Sequence, residues 1–224
     1  MGVPNELSMR LAFFGPPGAG KGTQAKRLAD HHDFTHVSTG DLFRAAIRDQ
    51  TDLGRQVSGL LKEGKLVPDD VTNAIVAEKL EGLGYERFVL DGFPRTVEQA
   101  RWLLGHLAEH DAPLDAVISL RVPEEDIVKR LSRRRTDAET GAIYHLDFNP
   151  PPDDLPAERL KHRPDDEPGA IRKRLEVYHD ETAPVEATLR THVRFFEIDG
   201  TGPLDEVQGR VTGAITQDRG LEGI

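Results

Sequence analysis

A chain of 224 residues, 37% hydrophobic and 30% charged, has the size and composition of one globular domain carrying insertions. Its formal charge of −10 and pI of about 5.4 argue against a nucleic-acid binder, although an acidic whole can still hold a basic cleft. With no cysteine, no apolar run near the roughly 18 residues of a membrane helix, and no signal-peptide pattern in MGVPNELSMR, disulfides, thiolate metal sites and membrane insertion are excluded and a cytoplasmic location is expected.

Residues 1–8 read as a polar extension. Leu11–Phe14 is an apolar run that stops at a Gly/Pro loop, as a buried parallel strand does. A helix is expected from about Gly20 to His32. Residues 38–67 read as short helices without a strand. Three more runs suit buried strands: Phe88–Leu90, Ala116–Val122 and Arg194–Ile198. Helical patterns cover about 96–109, 123–134, 168–190 and 203–217. Strand and helix in alternation imply an α/β sheet with right-handed crossovers. Residues 133–166 break the pattern with three arginines, TGAIYH and then FNPPPDDLP, whose prolines argue against a core element. Stretches this long without regular structure are usually functional. Both irregular stretches are therefore read as insertions that fold over a ligand.

The loop after the first strand is GPPGAGKGT, Gly15 to Thr23. Its glycines let backbone N–H groups face an anion, the helix that follows adds its positive end, and Lys21 can reach terminal phosphates. In the standard phosphate loop a Ser or Thr follows the lysine and holds magnesium. Here Gly22 follows, and the hydroxyl comes one place late, at Thr23.

That variant loop, continued by Gln24, resembles the adenylate kinase family of nucleoside monophosphate kinases. The likeness runs along nearly the whole chain: STGDLFR at 38–44, EGKLVPD at 63–69, LDGFPRT at 90–96, RRRTDAETGAIYH at 133–145, FNPP at 148–151, RPDD at 163–166, RKRLEVYH at 172–179 and DGTGP at 199–203. It implies an α/β fold of the P-loop NTPase type, a parallel five-stranded sheet flanked by helices. Residues 1–37, 68–132 and 167–224 would form the core, 38–67 an AMP-binding insertion, and 133–166 a lid over ATP.

The resemblance also implies roles. The substrates are ATP, AMP and ADP. Magnesium is held by phosphates and waters rather than by a direct protein ligand, with Asp91 orienting a water and Thr23 beside the phosphates. ATP is met by the loop residues Gly18, Ala19, Gly20, Lys21, Gly22 and Thr23, by Arg130 and Arg134, by Ile143 and Tyr144 of the lid, and by Gly202. AMP is met by Thr39, Gly40 and Arg44, by Lys65, Leu66 and Val67, by Gly92, Phe93, Arg95 and Gln99, and by Arg163 and Arg174. The catalytic set is Lys21, Arg95, Arg134, Arg163 and Arg174. Thr39 and Gln99 favour AMP, since relatives that take UMP or CMP carry Ala and Asn there. Arg133, Arg135 and Arg172 are left as surface residues.

The chemistry agrees with that set. A phosphate oxygen is mostly deprotonated at neutral pH, its second pKa being about 6, so the attacking group needs no general base. What two polyanions need is many fixed cations, and the arginine fork suits phosphate. With no cysteine, a four-cysteine zinc site in the lid is impossible; Asp137, Thr140 and the pair Asp153-Asp154 are expected to make a polar network instead. No structural zinc, nucleic acid or membrane partner is expected, and the enzyme is expected to be a monomer.

Other readings compete. HLAEH, His106 to His110, matches an inverted zinc-peptidase pattern with Glu109 as base, but no third ligand is evident. A nucleotide-binding regulator without turnover would not need the arginine set. A UMP/CMP kinase is opposed by the long lid and by Thr39.

Overall fold

The computed structural model describes residues 9–217, so the polar extension 1–8 and the tail after Gln217 lie outside the described residues. Strand β1 (Arg10–Phe14) shows how the sequence makes two layers. Alternate side chains of a strand point to opposite faces. Leu11 and Phe13 accordingly enter one apolar cluster with α1 (Lys21–His32) and α9 (Leu204–Gln217), while Ala12 and Phe14 enter another with α5 (Val97–Glu109) and α8 (Val185–Arg190). All four are nearly inaccessible to solvent. Burying each large side chain contributes roughly 1.5–3 kcal/mol.

The central sheet has the order β2-β3-β1-β4-β8, with β2 Thr35–Ser38, β3 Phe88–Asp91, β4 Ala116–Arg121 and β8 Arg194–Asp199, and every pair in it is parallel. β1 thus lies between β3 and β4, and chain order reverses around it. In open parallel sheets that switch point, at the carboxyl ends of the strands, is where ligands bind.

Between β2 and β3 stand α2 (Thr39–Arg48), α3 (Asp52–Lys62) and α4 (Asp69–Gly82). Phe43, Val57 and Val67 form a small core of their own there, joined by Ile47, Leu53, Leu61, Val71 and Ile75. After α6 (Glu124–Arg133) the chain makes a second, antiparallel sheet of order β6-β5-β7, from β5 Arg134–Asp137, β6 Ile143–His145 and β7 Leu160–Lys161.

Besides the three short strands of the second sheet, two elements lie outside the sequence expectations. β2 is short, its first half (Thr35, His36) only half-buried, and it is an edge strand, so no apolar run marks it. α4 does carry a helical pattern in Val71, Ile75, Val76 and Leu80, opened by the acidic pair Asp69-Asp70 after Pro68. One expectation is corrected: residues 168–190 are not one helix. α7 (Pro168–Val177) widens into a π turn at Tyr178–Thr182, closed by Ala183 N–H on Tyr178 O at 2.7 Å, and α8 resumes beyond Pro184, whose missing N–H interrupts the ladder.

Candidate active site

The phosphate loop leaves β1 at its carboxyl end. Gly15 has φ +125°, and a Cβ there would stand 2.5 Å from Leu120 O, so the loop passes only without a side chain. At its other end Gly20 caps α1, and no side chain caps the helix. The N–H groups of its first turn are therefore free to meet an anion. Lys21 folds back over the loop, its Nζ donating to Gly15 O and Pro16 O, both at 2.8 Å.

Gly22 explains the variant motif. A Cβ at this position would lie 2.8 Å from Asp91 Oδ2. The Asp91 carboxylate occupies the space that a following Ser or Thr would need. Burial raises Asp91, but the neighbouring His36 ring and the charge of Lys21 outweigh it and hold the carboxyl below its ordinary range. His36 Nε2 lies 3.5 Å from Asp91 Oδ2.

The arginines converge on this point from separate elements. Arg134, entering β5, sets Nε and Nη2 on the two oxygens of Asp166 at 2.7 and 2.6 Å. Arg174, on α7, donates to the same Asp166 at 3.1 Å and to Asp165 O at 3.0 Å. Arg163 is buried and donates to Thr136 Oγ1 at 2.7 Å. Arg95 donates from Nε to Gly92 O at 2.7 Å, and Arg44 pairs with Asp41 at 2.6 Å.

Electrostatics show how close these groups stand. Burial pushes Lys21 down to about 7, Asp91 pulls it back, and Arg95, Arg174 and Arg134 push it further. Burial, with Arg134 and Arg44, pushes Arg163 down to about 9. Arg174 falls to about 10 from burial, with Arg134 and Arg95 adding to it. Such crowding of cations is unfavourable in the protein alone and is relieved by a polyanion.

Other sequence-predicted residues fall around that centre. Arg130 donates to Ala19 O in the phosphate loop at 3.3 Å and to Gly200 O at 2.8 Å, tying the loop to the turn that carries Gly202. Ile143 and Tyr144 lie on β6, across from Thr136 and Arg135. Thr39 is buried and donates to Gly92 O at 2.9 Å; Gly40 lies against the Arg44 guanidinium. Phe93 is buried edge-on against Trp102. Val67 is buried and Leu66 half-buried, whereas Lys65 is exposed and pairs with Glu63 at 2.6 Å. Gln99 is buried with its amide bonded at both ends. Thr23 is half-buried in the first turn of α1.

The lid network differs from its expectation. Asp137 and Thr140 do join, at 2.6 Å, but their partner is Arg159, which forks onto both oxygens of Asp137. Asp153 and Asp154 are exposed on the turn between β6 and β7, away from a site of apolar cover where a carboxylate would need a partner. The sequence alone does not single out Asp165, Asp166 and Asp69. Their signal is the acidic doublet in RPDD and in VPDD, which only the fold connects to arginines and to Gln99. Of the arginines left as surface, Arg172 is exposed, Arg133 pairs with Asp147, and Arg135 is half-buried on the carbonyls of Ser132 and Arg134.

HLAEH is an aromatic cluster. The Tyr85 hydroxyl lies 3.2 Å from His106 Nε2 and 3.1 Å from His110 Nε2, and Trp102 stacks on His106. Among the described residues no group of three or more His, Cys, Asp or Glu is placed to hold a metal ion.

Comparison with known proteins finds relatives along nearly the whole chain. The family model described as adenylate kinase matches residues 13–193. The adenylate kinase of Salinibacter ruber is 45% identical over 207 residues, 92% of this chain and 98% of that protein. That of Fusobacterium nucleatum is 44% identical over 202 residues, 90% and 95% of the two chains. That of Archaeoglobus fulgidus is 42% identical over 204 residues, 89% and 94%.

Proposed function

The chain belongs to the adenylate kinase family and is an ATP:AMP phosphotransferase, and from that premise we propose how its residues divide the reaction. The observation that carries the proposal is the crowding of Lys21, Arg95, Arg134, Arg163 and Arg174 about one cleft, where burial and mutual repulsion depress Lys21, Arg163 and Arg174 together.

In this reading the phosphate loop from Gly18 to Thr23 cradles the ATP phosphates, with Lys21 on the terminal pair. Arg130, Arg134, Ile143, Tyr144 and Gly202 serve the ATP side. Arg44 and Arg95 hold the AMP phosphate, and Arg163 and Arg174 span the phosphoryl group in transit. The AMP phosphate oxygen attacks the γ-phosphorus in line and ADP leaves; no side chain has to remove a proton. The cations stabilise charge on the transferring oxygens, and removing one such donor commonly costs about 10²–10³ in rate.

Magnesium, brought in with ATP, supplies further neutralisation of the β- and γ-phosphates. The residues fit it: Asp91 turns an oxygen to the bare glycine at 22, and a carboxylate there suits hydrated magnesium. Asp91 would orient its waters, with Thr23 beside the phosphates. Residues 38–67 and 133–166 are proposed to close over AMP and ATP and exclude water, which suppresses hydrolysis. Thr39, Gly40, the segment Lys65-Leu66-Val67, Gly92, Phe93 and Gln99 are proposed to enclose the AMP nucleoside. A monomeric, cytoplasmic enzyme remains part of the proposal on the resemblance to the family; sedimentation at micromolar concentration tests the first half.

The experiment is an acceptor panel. The protein with ATP and magnesium is offered AMP, CMP, UMP, GMP and dTMP separately, and diphosphates are quantified. ADP formation with AMP far ahead of the others is expected. Preference for CMP or UMP would sink the Thr39/Gln99 assignment while leaving the phosphate site intact.

A further inference from the structure

Asp69 and Thr96, joined to Gln99 in a polar knot at the facing ends of α4 and α5, have no part in the roles above. Asp69, the first residue of α4, accepts from the side-chain amide of Gln99 at one oxygen (Nε2 to Oδ1, 2.7 Å). Its other oxygen accepts from the Thr96 hydroxyl at 2.8 Å. Thr96 caps α5, and its oxygen accepts the Gln99 backbone N–H at 3.1 Å. The carbonyl end of the Gln99 amide accepts the Arg95 backbone N–H at 2.7 Å. Gln99 is only 2% exposed.

Donor and acceptor roles in this knot are forced. An ionised carboxylate only accepts, so the end of the amide that faces Asp69 is the NH₂. A backbone N–H only donates, so the end that faces Arg95 is the carbonyl. Turning the amide over would set oxygen against carboxylate and NH₂ against N–H, losing two bonds in a buried place. After these two bonds Gln99 keeps one N–H and one carbonyl lone pair, each at a fixed end.

That fixed order has a consequence for the base. A 6-aminopurine presents a donor, its exocyclic NH₂, beside a ring-nitrogen acceptor, and a glutamine amide meets such a pair with two bonds. A 6-oxopurine presents the reverse, an acceptor oxygen beside a ring N–H. A freely turning amide serves both. An amide held one way round serves one, and the other base leaves buried groups unpaired, which is strongly discriminating.

We propose that Asp69 is a positioning residue for base selection: by fixing the Gln99 amide it makes the acceptor site choose a 6-amino over a 6-oxo purine nucleotide. This rests on the reading of Gln99 as the residue that meets the AMP base. Thr96 adds to the lock by committing its own proton to Asp69.

The test compares AMP with inosine monophosphate, which differs only at the 6 position and its neighbouring ring nitrogen. Steady-state constants are measured for wild type, Asp69→Ala, Asp69→Asn, Gln99→Ala and the Asp69→Ala/Gln99→Ala pair. For Asp69→Ala the AMP-over-inosine preference in kcat/KM should fall about tenfold or more, the order of one charge-assisted hydrogen bond. The change should sit in the acceptor KM, with kcat and the ATP KM within about twofold of wild type, as expected for lost uniform binding. Asp69→Asn keeps the shape but can present either a donor or an acceptor, so it should fall between, and it stands in if the alanine variant does not fold. The paired variant should show no loss of preference beyond Gln99→Ala alone. A preference that moves in Gln99→Ala but not in either Asp69 variant overturns the proposal. A preference unmoved in Gln99→Ala overturns the reading of Gln99 itself. A purely structural Asp69 would lower the rates with both acceptors alike.

Discussion

Among the described residues two buried aspartates, Asp137 and Asp166, are gripped by arginine forks, and they do opposite things. In the lid sheet Asp137 takes both Nε and Nη2 of Arg159, the Thr140 hydroxyl and the Glu139 backbone N–H, which fills its lone pairs. The hydrogen bonds from Arg159 and Thr140 hold its carboxyl well below the usual range, and Asp137 in turn raises Arg159. At the cleft Asp166, fully buried, takes a fork from Arg134 and a third bond from Arg174. There the arginines are not satisfied. Arg174 is depressed, not raised, because burial and further cations outweigh its aspartates. The clip on β5 is balanced in charge and holds a shape; the cleft is left with cation in excess, the arrangement that suits the phosphate substrates proposed for it.

That contrast can be broken at its strongest point, Lys21. If uncompensated cation is what works, Lys21→Met should lower kcat by about 10²–10³-fold, the scale of a lost transition-state donor. It should not lower the melting temperature, because the folded protein sheds a desolvated charge. Normal turnover in this variant would overturn the phosphate-loop assignment. Asp166→Asn comes next and should cost both quantities. Two guanidiniums would lose a buried counter-charge, a loss of about 3–5 kcal/mol by urea titration. The rate should also fall, by about tenfold or more, as Arg134 and Arg174 lose their orientation. A variant that loses stability but keeps kcat would make Asp166 a second structural clip and erase the distinction. Asp137→Asn probes the other side. It should leave saturated kcat within about threefold, raise the ATP KM several-fold, and speed protease cleavage between residues 138 and 158, since what it removes is local order and not transition-state charge.

How far the sequence anticipates these two places differs for a physical reason. The phosphate loop is local: strand, glycines, lysine and helix follow one another within a few residues, so GPPGAGKGT is legible by itself. The three inner strands β3, β1 and β4 are legible because buried parallel strands are apolar. β8 is legible through Phe195, Phe196 and Ile198, although it is an edge strand with Arg194, Glu197 and Asp199 exposed and so is not the buried strand expected there. β2, the other edge strand, escapes because it carries no such apolar run. The arginines are individually indistinct in a chain rich in them, and resemblance along the motifs selects them. Their partners are not legible at all. Asp166 meets Arg134 across 32 positions and Asp69 meets Gln99 across 30, and neither pairing leaves a periodicity. The lid shows the same limit. Asp137 and Thr140 are three residues apart and predictable as a turn, while the fork from Arg159, 22 positions on, is made by β7 pairing with β5.

The smallest effect sharpens the comparison most finely, because it reads the cleft's excess charge as protons. Lys21 without nucleotide sits at about 7, lowered from an ordinary 10.5 chiefly by burial. The sign follows from proton counts. Between about pH 7 and 10.5 the unfolded chain carries a proton on Lys21 that the folded protein does not, so this group makes stability rise with pH across that window. ATP binding works the other way on the same site. A polyanion beside the ammonium favours its charged form and raises its pKa back. At pH 8 the free enzyme therefore holds Lys21 mostly neutral and the complex holds it charged. Binding of ATP at pH 8 should take up close to one proton, fewer at pH 6, where Lys21 is already charged. Calorimetric titration in two buffers of different ionisation enthalpy measures this number directly, and Lys21→Met should abolish most of it. A binding enthalpy that is the same in both buffers at pH 8 would mean that Lys21 is already charged before ATP arrives, and that the cleft's cations are better compensated than the contrast with the lid clip requires.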